Sequence, residues 1–166
     1  MPSALFNDRA DRIRHRVLSP FGFRIFLWKQ LPLAAFAGLR LRSLDEGGCT
    51  VVLPGGWRTQ NPFRSTYFAA QAMAAEMSTG APALVLVQGS EAKVSLLVTE
   101  VRARYTKKIV GESQFTFREI GEMADTIERA AQTRESATFV ARSIGRTRAG
   151  EVASEFEVTW SFKRRD

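Results

Sequence analysis

The order of the segments predicts an α+β domain in which one sheet wraps around one central helix. Helical segments come first, two short strands follow, then one long helix, and then four strands with a minor helix among them. No repeated strand-helix-strand alternation runs through the chain, which argues against a doubly wound parallel sheet. The central helix is the most informative element, because from Ser65 to Ala75 it carries no charge. A helix that is apolar nearly all round is expected to be buried.

Composition excludes several classes of protein. The chain has 166 residues, 45% of them hydrophobic, which is enough for one domain with its own core. The single cysteine, Cys49, excludes an internal disulfide framework. The uncharged stretches Gln30–Leu39 and Met77–Ser90 are shorter than the roughly 20 apolar residues of a membrane span. Charged residues surround Leu31–Leu39, so we read no signal peptide and expect a soluble, cytoplasmic protein.

The first 37 residues are predicted to form a helical extension. One helix is expected over residues 3–18, and two short helices over residues 21–39, separated near Pro32. Residues 1–42 contain eight basic and two acidic residues, and thus +6 of the net charge of +7. Basic surfaces attract nucleic acid, anionic lipid and phosphorylated cofactors. We expect these helices to pack over the domain or against a membrane surface.

The remaining residues, 38–166, are predicted to form the domain itself. A hairpin is expected around the turn Asp45–Gly48. The central helix is predicted from Ser65 to Thr79, with Ser65 or Thr66 as N-cap, and with Gly80 and Pro82 as its stop. The later elements are predicted as strands Val94–Tyr105 and Gly111–Arg118, a helix over Glu119–Gln132, and the hairpin strands Glu135–Thr147 and Gly150–Lys163. One face of the first of these strands should carry Leu97, Thr99, Val101, Ala103 and Tyr105.

Two segments resemble those of a known family. Trp57–Phe68, followed by the alanine-rich helix up to Glu76, resembles the segment around the central helix of the hotdog fold. Leu96–Glu112 resembles the strand, basic turn and Gly-acid step that follow this helix. More narrowly, the chain resembles the hotdog family called domain of unknown function 4442, which is related to PaaI-like acyl-CoA thioesterases. The resemblance covers residues 38–163 and implies an antiparallel sheet around a long central helix.

The resemblance also implies candidate site residues. Asn61 stands where the family has an Asn before the helix, and Glu76 stands where it has a catalytic Asp or Glu. Tyr67 replaces the family's active-site His, and Phe68 replaces the Gly whose N–H lines the oxyanion site. Arg64 replaces the usual glycine of the turn.

Thioester hydrolysis needs a carboxylate, donors for the developing oxyanion and an apolar channel. Glu76 is the candidate base, since burial on an uncharged helix would raise its pKa. The backbone N–H of Phe68 is the candidate oxyanion donor, and Asn61 would orient water or the carbonyl. The candidate substrate-binding residues are Arg64, Ser65, Thr66, Tyr67, Gln71, Arg102, Arg104, Lys107 and Lys108. Some of these candidates have a structural alternative: a solvated strand face for the basic run from Arg102 to Lys108, a turn before Pro62 for Asn61, and an arginine pair for Glu76.

Other kinds of site find little support. His15 is the only histidine, so neither a Ser-His-Asp triad nor a metal site is expected. No glycine-rich phosphate loop is present, because Gly47-Gly48 and Gly55-Gly56 are turn pairs. Coenzyme A is expected only as part of the substrate, with no separate cofactor.

Three functions remain open. The first is an acyl-CoA thioesterase whose active sites form at a homodimer interface, in a dimer or tetramer. The second is a hotdog module that binds acyl-CoA or fatty acyl ligands without hydrolysing them, which the replaced His and Gly positions favour. The third uses the basic N-terminus to hold nucleic acid or an anionic membrane. Of these two partners, nucleic acid is not expected, whereas peripheral membrane contact is compatible with the sequence.

Overall fold

Three short helices begin the computed structural model, which describes residues 5–165. They are α1 (Asp8–Leu18), α2 (Pro20–Gln30) and α3 (Pro32–Ala37), in agreement with the predicted helical segments. The side chain of Asn7 caps α1 by accepting from the Ala10 N–H, and Ser19 caps α2 by accepting from Gly22. A proline opens both α2 and α3, where the missing N–H costs no hydrogen bond.

One six-stranded sheet forms the body of the molecule. Its strands are β1 (Arg40–Asp45), β2 (Gly48–Leu53), β3 (Val94–Tyr105), β4 (Ser113–Phe117), β5 (Ala137–Thr147) and β6 (Val152–Arg164). Their order across the sheet is β1-β2-β4-β5-β6-β3, and every neighbouring pair is antiparallel. The predicted α+β architecture is confirmed, and β1 and β3 are the edge strands.

The central helix α4 (Phe68–Gly89) is longer than predicted and is shifted along the chain. The predicted stop was wrong, because Pro82 lies inside the helix. An internal proline costs about 3 kcal/mol, but the helix continues because Ala83, Val85 and Leu86 bury their side chains in the core. The predicted N-cap was also wrong. Tyr67 is the N-cap residue and its side chain makes no cap hydrogen bond.

Buried side chains fix the second half of α4 against the sheet. Ser78 Oγ lies 2.7 Å from Ser143 Oγ on β5, and Trp160 Nε1 donates to Thr79 Oγ1 at 3.0 Å. The helix α5 (Ile120–Thr133) packs alongside with Met123, Ile127 and Ala130 buried, at the predicted helical spacing.

The N-terminal helices belong to the same core. Asn7 Nδ2 donates to the Gly89 carbonyl at 2.9 Å, and a Cβ built on Gly89 would lie 2.6 Å from the Ala10 Cβ. Phe23 and Leu27 of α2 are buried as well. The predicted boundary between residues 37 and 38 falls between α3 and β1, and the division into an extension and a domain stays a prediction. Within residues 5–165, no helix combines the length and hydropathy that crossing a bilayer requires.

A bulge in β3 changes which residues share a face. The pairing with β6 shifts between Val98 and Glu100, which leaves Thr99 as the extra residue. Leu97 therefore pairs with half-exposed Ser161, whereas Val101 pairs with buried Val158. The prediction that Leu97 and Val101 share one face was wrong, because simple alternation does not anticipate a bulge.

Candidate functional site

The loop before α4 is held by one asparagine side chain. Asn61 Oδ1 accepts from the N–H groups of Phe63 and Ser65 at 3.0 and 3.1 Å. Its Nδ2 lies 3.0 Å from Ser65 Oγ. Arg64, which stands in this turn, adopts a left-handed conformation with φ of 57°. The carboxamide of Asn61 is thus largely engaged in building the turn before the helix.

Two loops meet beside this turn. The N–H of Thr66 donates to the Ile109 carbonyl at 2.8 Å, which joins the loop before α4 to the loop after β3. A Cβ on Gly55 would lie 2.4 Å from the Cα of Gly111, so the two backbones are in direct contact. Only glycine permits this approach.

The start of α4 opens into the cleft between these loops. The N–H groups of its first turn have no acceptor within the helix, and the side chain of the N-cap residue Tyr67 makes no hydrogen bond to them. The ring of Phe68 is 56% exposed and packs edge-to-face on Tyr67, with ring centroids 4.8 Å apart. The free N–H groups and the helix dipole make this end of α4 suited to an oxyanion or carbonyl oxygen.

The cleft has a volume of about 590 Å³ and brings together many of the predicted site residues. Those that line it are Asn61, Ser65, Thr66, Tyr67, Phe68, Gln71, Lys107 and Lys108. Lys107 Nζ pairs with Glu151 at 2.5 Å. Sequence reasoning missed Tyr105 and Ile109 as lining residues, although the strand end at Tyr105 was a signal that the following residues form a loop.

Gln71 has an unusual position in the cleft wall. The residue is buried, and its Nε2 donates to the Thr66 carbonyl at 3.3 Å. Its Oε1 is buried and has no hydrogen-bond partner among residues 5–165. A buried amide oxygen left unsatisfied costs about 1–3 kcal/mol, so this atom is suited to accept from a bound molecule or water.

Glu76 lies in a different cavity. This second cavity, of about 160 Å³, lies between α2 and α4 and is otherwise apolar, with Phe23, Phe26 and Trp160 among its walls. No described residue donates a hydrogen bond to the carboxylate, and burial raises the pKa of Glu76. The arginine pair considered for this residue is therefore not formed within residues 5–165.

Within one chain, Glu76 is separated from the helix start. Phe68 and Glu76 are eight positions apart in α4, which corresponds to a rise of about 12 Å along the helix axis. The two residues line different cavities. One protomer therefore does not place the carboxylate beside the N–H groups of the first turn.

The remaining basic candidates lie outside both cavities. Arg102 and Arg104 are exposed on β3, opposite Glu157 and Glu155 of β6, and Arg102 also contacts Glu100 at 3.1 Å. Arg64 is exposed in its turn and does not line the cleft. In the described part of the chain, no group of three or more His, Cys, Asp or Glu residues could hold a metal ion.

Comparison with solved structures gives the fold. The chain is similar to a protein of unknown function from Chlorobaculum tepidum, with a TM-score of 0.75, 16% identity, and 89% and 98% of the two chains covered. It is similar to a probable thioesterase of unknown function from Pseudomonas aeruginosa, with a TM-score of 0.72, 21% identity, and 88% and 97% covered. A thioesterase from Haemophilus influenzae matches with a TM-score of 0.65, 13% identity, and 88% and 91% covered.

These likenesses confirm the predicted hotdog fold. Among curated proteins, no match to the chain is found. The sequence model described as "Domain of unknown function (DUF4442)" matches residues 22–162, which is most of the chain. The protein therefore belongs to the DUF4442 family.

Proposed function

We propose that the protein hydrolyses acyl thioesters, with acyl-CoA as substrate and Glu76 as general base. The observation that carries the proposal is the Glu76 carboxylate, which accepts no hydrogen bond from a described residue and lies in an otherwise apolar cavity against the central helix. Desolvation makes such a carboxylate a stronger base, and the apolar walls suit an acyl chain. Solved structures of the same fold that are named thioesterases support the reaction class.

The proposed reaction needs only water and the thioester. Glu76 takes a proton from water while the oxygen adds to the thioester carbon. The carbonyl oxygen becomes an oxyanion that accepts from the Phe68 N–H at the start of α4. The tetrahedral intermediate then breaks its C–S bond. The leaving thiolate takes up the proton that Glu76 removed from water, which gives coenzyme A and a carboxylic acid. Lys107 and Lys108 line the cleft, and we propose that they contact the phosphates of coenzyme A.

Because Glu76 and Phe68 line different cavities in one chain, the proposal requires two protomers. We place the base of one chain against the helix start of its partner in a homodimer. The edge strand β3 supports this, because it is twelve residues long and leaves Leu97 65% exposed. A long edge strand with exposed apolar side chains is suited to pairing with another strand.

The exposed side of α4 supports the same arrangement. Ala69, Ala72, Met73 and Glu76 are half-buried and follow the i, i+3, i+4, i+7 spacing of one helix face. Small side chains on that face allow the helix of a second chain to approach closely. The carboxylate of Glu76 lies at the end of this stripe, where a partner's helix start could reach it.

A second candidate function is a binding module that holds acyl-CoA without hydrolysing it. The observation that favours it is the exposed ring of Phe68 at the cleft mouth, next to Tyr67, at the positions where the family has Gly and His. The ring narrows access to the free N–H groups, and Tyr67 offers no imidazole at the position of the family's His.

The experiment is thiol release from short-, medium- and long-chain acyl-CoAs by the wild type and by Glu76→Gln. We expect kcat/KM to fall by about a hundredfold or more in the variant, equivalent to about 2.7 kcal/mol of transition-state stabilisation. Glu135→Gln is the matched control, since Glu135 is exposed and distant in sequence from both cavities. Turnover that survives in Glu76→Gln would exclude Glu76 as the base. Binding of acyl-CoA without turnover by the wild type would support the binding module.

A further inference from the structure

An exposed apolar surface covers α2, α3 and the loop that follows β2. We call it the aromatic face, and its members are Phe21, Ile25, Trp28, Leu33, Phe36 and Trp57. Phe21, Ile25 and Trp28 follow the i, i+4, i+7 spacing of one side of α2. The ring centroids of Phe36 and Trp57 are 5.9 Å apart, which joins α3 to the loop. Phe21 is 76% exposed and Trp57 is 72% exposed, although large aromatic side chains usually lose most of their exposure on folding.

Basic groups accompany the aromatic face. Arg24, Arg40 and Arg58 line one groove of about 430 Å³ together with Trp28, so the charges and the aromatic side chains are neighbours. Arg40 pairs with Glu112 at 2.6 Å. None of the described residues forms an ion pair with Arg24 or Arg58, so these two charges are available to an external anion.

Acidic residues are missing from the chain segments that build this surface. Residues 12–44 and residues 47–75 contain no Asp or Glu. Of the carboxylates outside these segments, Glu112 is neutralised by Arg40, and Glu76 faces the separate cavity between α2 and α4. The aromatic face is therefore apolar with a rim of uncompensated positive charge.

We propose that the aromatic face binds the surface of an anionic lipid bilayer. The apolar side chains would enter the boundary between headgroups and acyl chains, with α2 lying in the plane of the membrane. Arg24 and Arg58 would contact the phosphates of anionic headgroups, whose negative potential attracts basic residues close to the surface. The proposal is independent of the thioesterase activity, because it uses none of the residues of the two cavities assigned above to catalysis.

Two other occupants fit the surface less well. A second copy of the chain, related by a two-fold axis, would bury Arg24 and Arg58 of both copies in one interface without a carboxylate from this face to pair with them. Nucleic acid would engage the arginines and could stack on the aromatic rings. It would, however, leave Ile25 and Leu33 without a partner, since aliphatic side chains offer bases no stacking surface.

The test is co-sedimentation of the full chain with vesicles of equimolar phosphatidylcholine and phosphatidylglycerol, and with vesicles of phosphatidylcholine alone. We expect binding to the anionic vesicles that weakens at high salt. A blue shift of tryptophan fluorescence should accompany binding, because Trp28 and Trp57 are exposed in solution whereas Trp160 is already buried. No sedimentation with either vesicle, or equal sedimentation with both, would overturn the proposal.

Two variants separate the contribution of charge to vesicle binding from the contribution of the apolar side chains. Arg24→Glu should weaken binding to anionic vesicles about thirtyfold, since one attractive charge becomes repulsive. The double variant Phe21→Ser/Trp28→Ser should reduce binding at least tenfold by removing the inserted side chains. Arg148→Glu, in the exposed turn between β5 and β6, and Val140→Ser, on an exposed position of β5, are the matched controls and should bind as the wild type does. Circular dichroism checks that each variant is folded.

The same set of variants tests the alternatives. A fluorescent oligonucleotide that binds more tightly than the vesicles would identify nucleic acid as the partner and overturn the proposal. A fall in molar mass of Phe21→Ser/Trp28→Ser by light scattering, with vesicle binding unchanged, would show that the face joins protein copies and would overturn it as well.

Discussion

The two halves of the central helix differ in how completely their polar groups are satisfied. In the second half, Ser78 contacts Ser143, Thr79 accepts from Trp160, and the Gly89 carbonyl accepts from Asn7. In the first half, the Tyr67 side chain makes no cap hydrogen bond. Among the described residues, none is a hydrogen-bond partner of Gln71 Oε1 and none donates to the Glu76 carboxylate. The second half stabilises the fold, and the first half leaves its interactions open for a ligand or a second chain.

The largest effect is expected from removing one backbone N–H at the start of α4. Phe68→Pro should lower kcat by about a hundredfold or more, as the loss of an oxyanion donor does elsewhere. Proline is compatible with the first position of a helix, and the backbone of Tyr67, with φ of −63° and ψ of 136°, suits a residue before proline. Acyl-CoA hydrolysis is the measurement. Phe68→Ala is the control, because it removes the ring but keeps the N–H, and it should retain activity.

Mixing inactive chains tests whether the site is shared. If the Phe68 N–H and Glu76 come from different protomers, refolding Phe68→Pro with Glu76→Gln should restore about a quarter of wild-type activity. Half of the randomly assembled dimers would be mixed, and each would contain one intact site. Activity no higher than that of the separate variants would mean that the two groups act within one chain or not at all.

A smaller effect, on stability, is expected from a substitution at the C-terminal end of α4. Gly89→Ala should lower the free energy of unfolding by about 1–3 kcal/mol, because the new Cβ would lie 2.6 Å from the Ala10 Cβ and overpack the contact between α1 and α4. Denaturant unfolding measures this change. Gly121→Ala in α5 is the matched control, since a Cβ there meets nothing within 4 Å, and it should be neutral or slightly stabilising. Equal effects of both substitutions would show that the contact with Ala10 relaxes freely.

The smallest effect concerns the pH dependence of stability. Burial raises the pKa of Glu76, so the folded state holds a proton that the unfolded state releases as the pH rises. The wild type should therefore lose stability between the unfolded pKa, about 4.3, and the raised folded pKa. Glu76→Gln carries no such group, so its melting temperature should exceed that of the wild type near neutral pH and approach it near pH 4. A difference that is independent of pH would mean that the carboxylate is not desolvated.

Local sequence rules predicted most elements but not the bounds of the central helix. Periodicity located α5, the hairpin of β5 and β6, and the two short helices around Pro32. Gly80 and Pro82 predicted a stop at the position where burial of the following apolar residues outweighs the cost of a proline. Ser65 and Thr66 fit the preference for N-caps, yet the turn built by Asn61 uses Ser65, and Thr66 pairs with Gln60.

The candidate site was predictable only in part for a similar reason. The segment before the helix and the Lys107-Lys108 turn come together in the cleft, in keeping with the resemblance to hotdog proteins. The placement of Glu76 under α2 depends on how a helix distant in sequence folds over α4, and no local pattern reports that packing. The bulge at Thr99 could not be predicted from the sequence either, because the residues of β3 alternate as those of an ordinary strand do.

The backbone contact between Gly55 and Gly111 has a consequence for ligand affinity. Together with the hydrogen bond from the Thr66 N–H to the Ile109 carbonyl, it fixes the two loops beside the cleft to each other. The two loops have already lost their conformational entropy during folding of the protein. Binding of a ligand in the cleft therefore carries a smaller entropic cost. A side chain at Gly55 would separate the loops and shift that entropic cost from folding to each binding event.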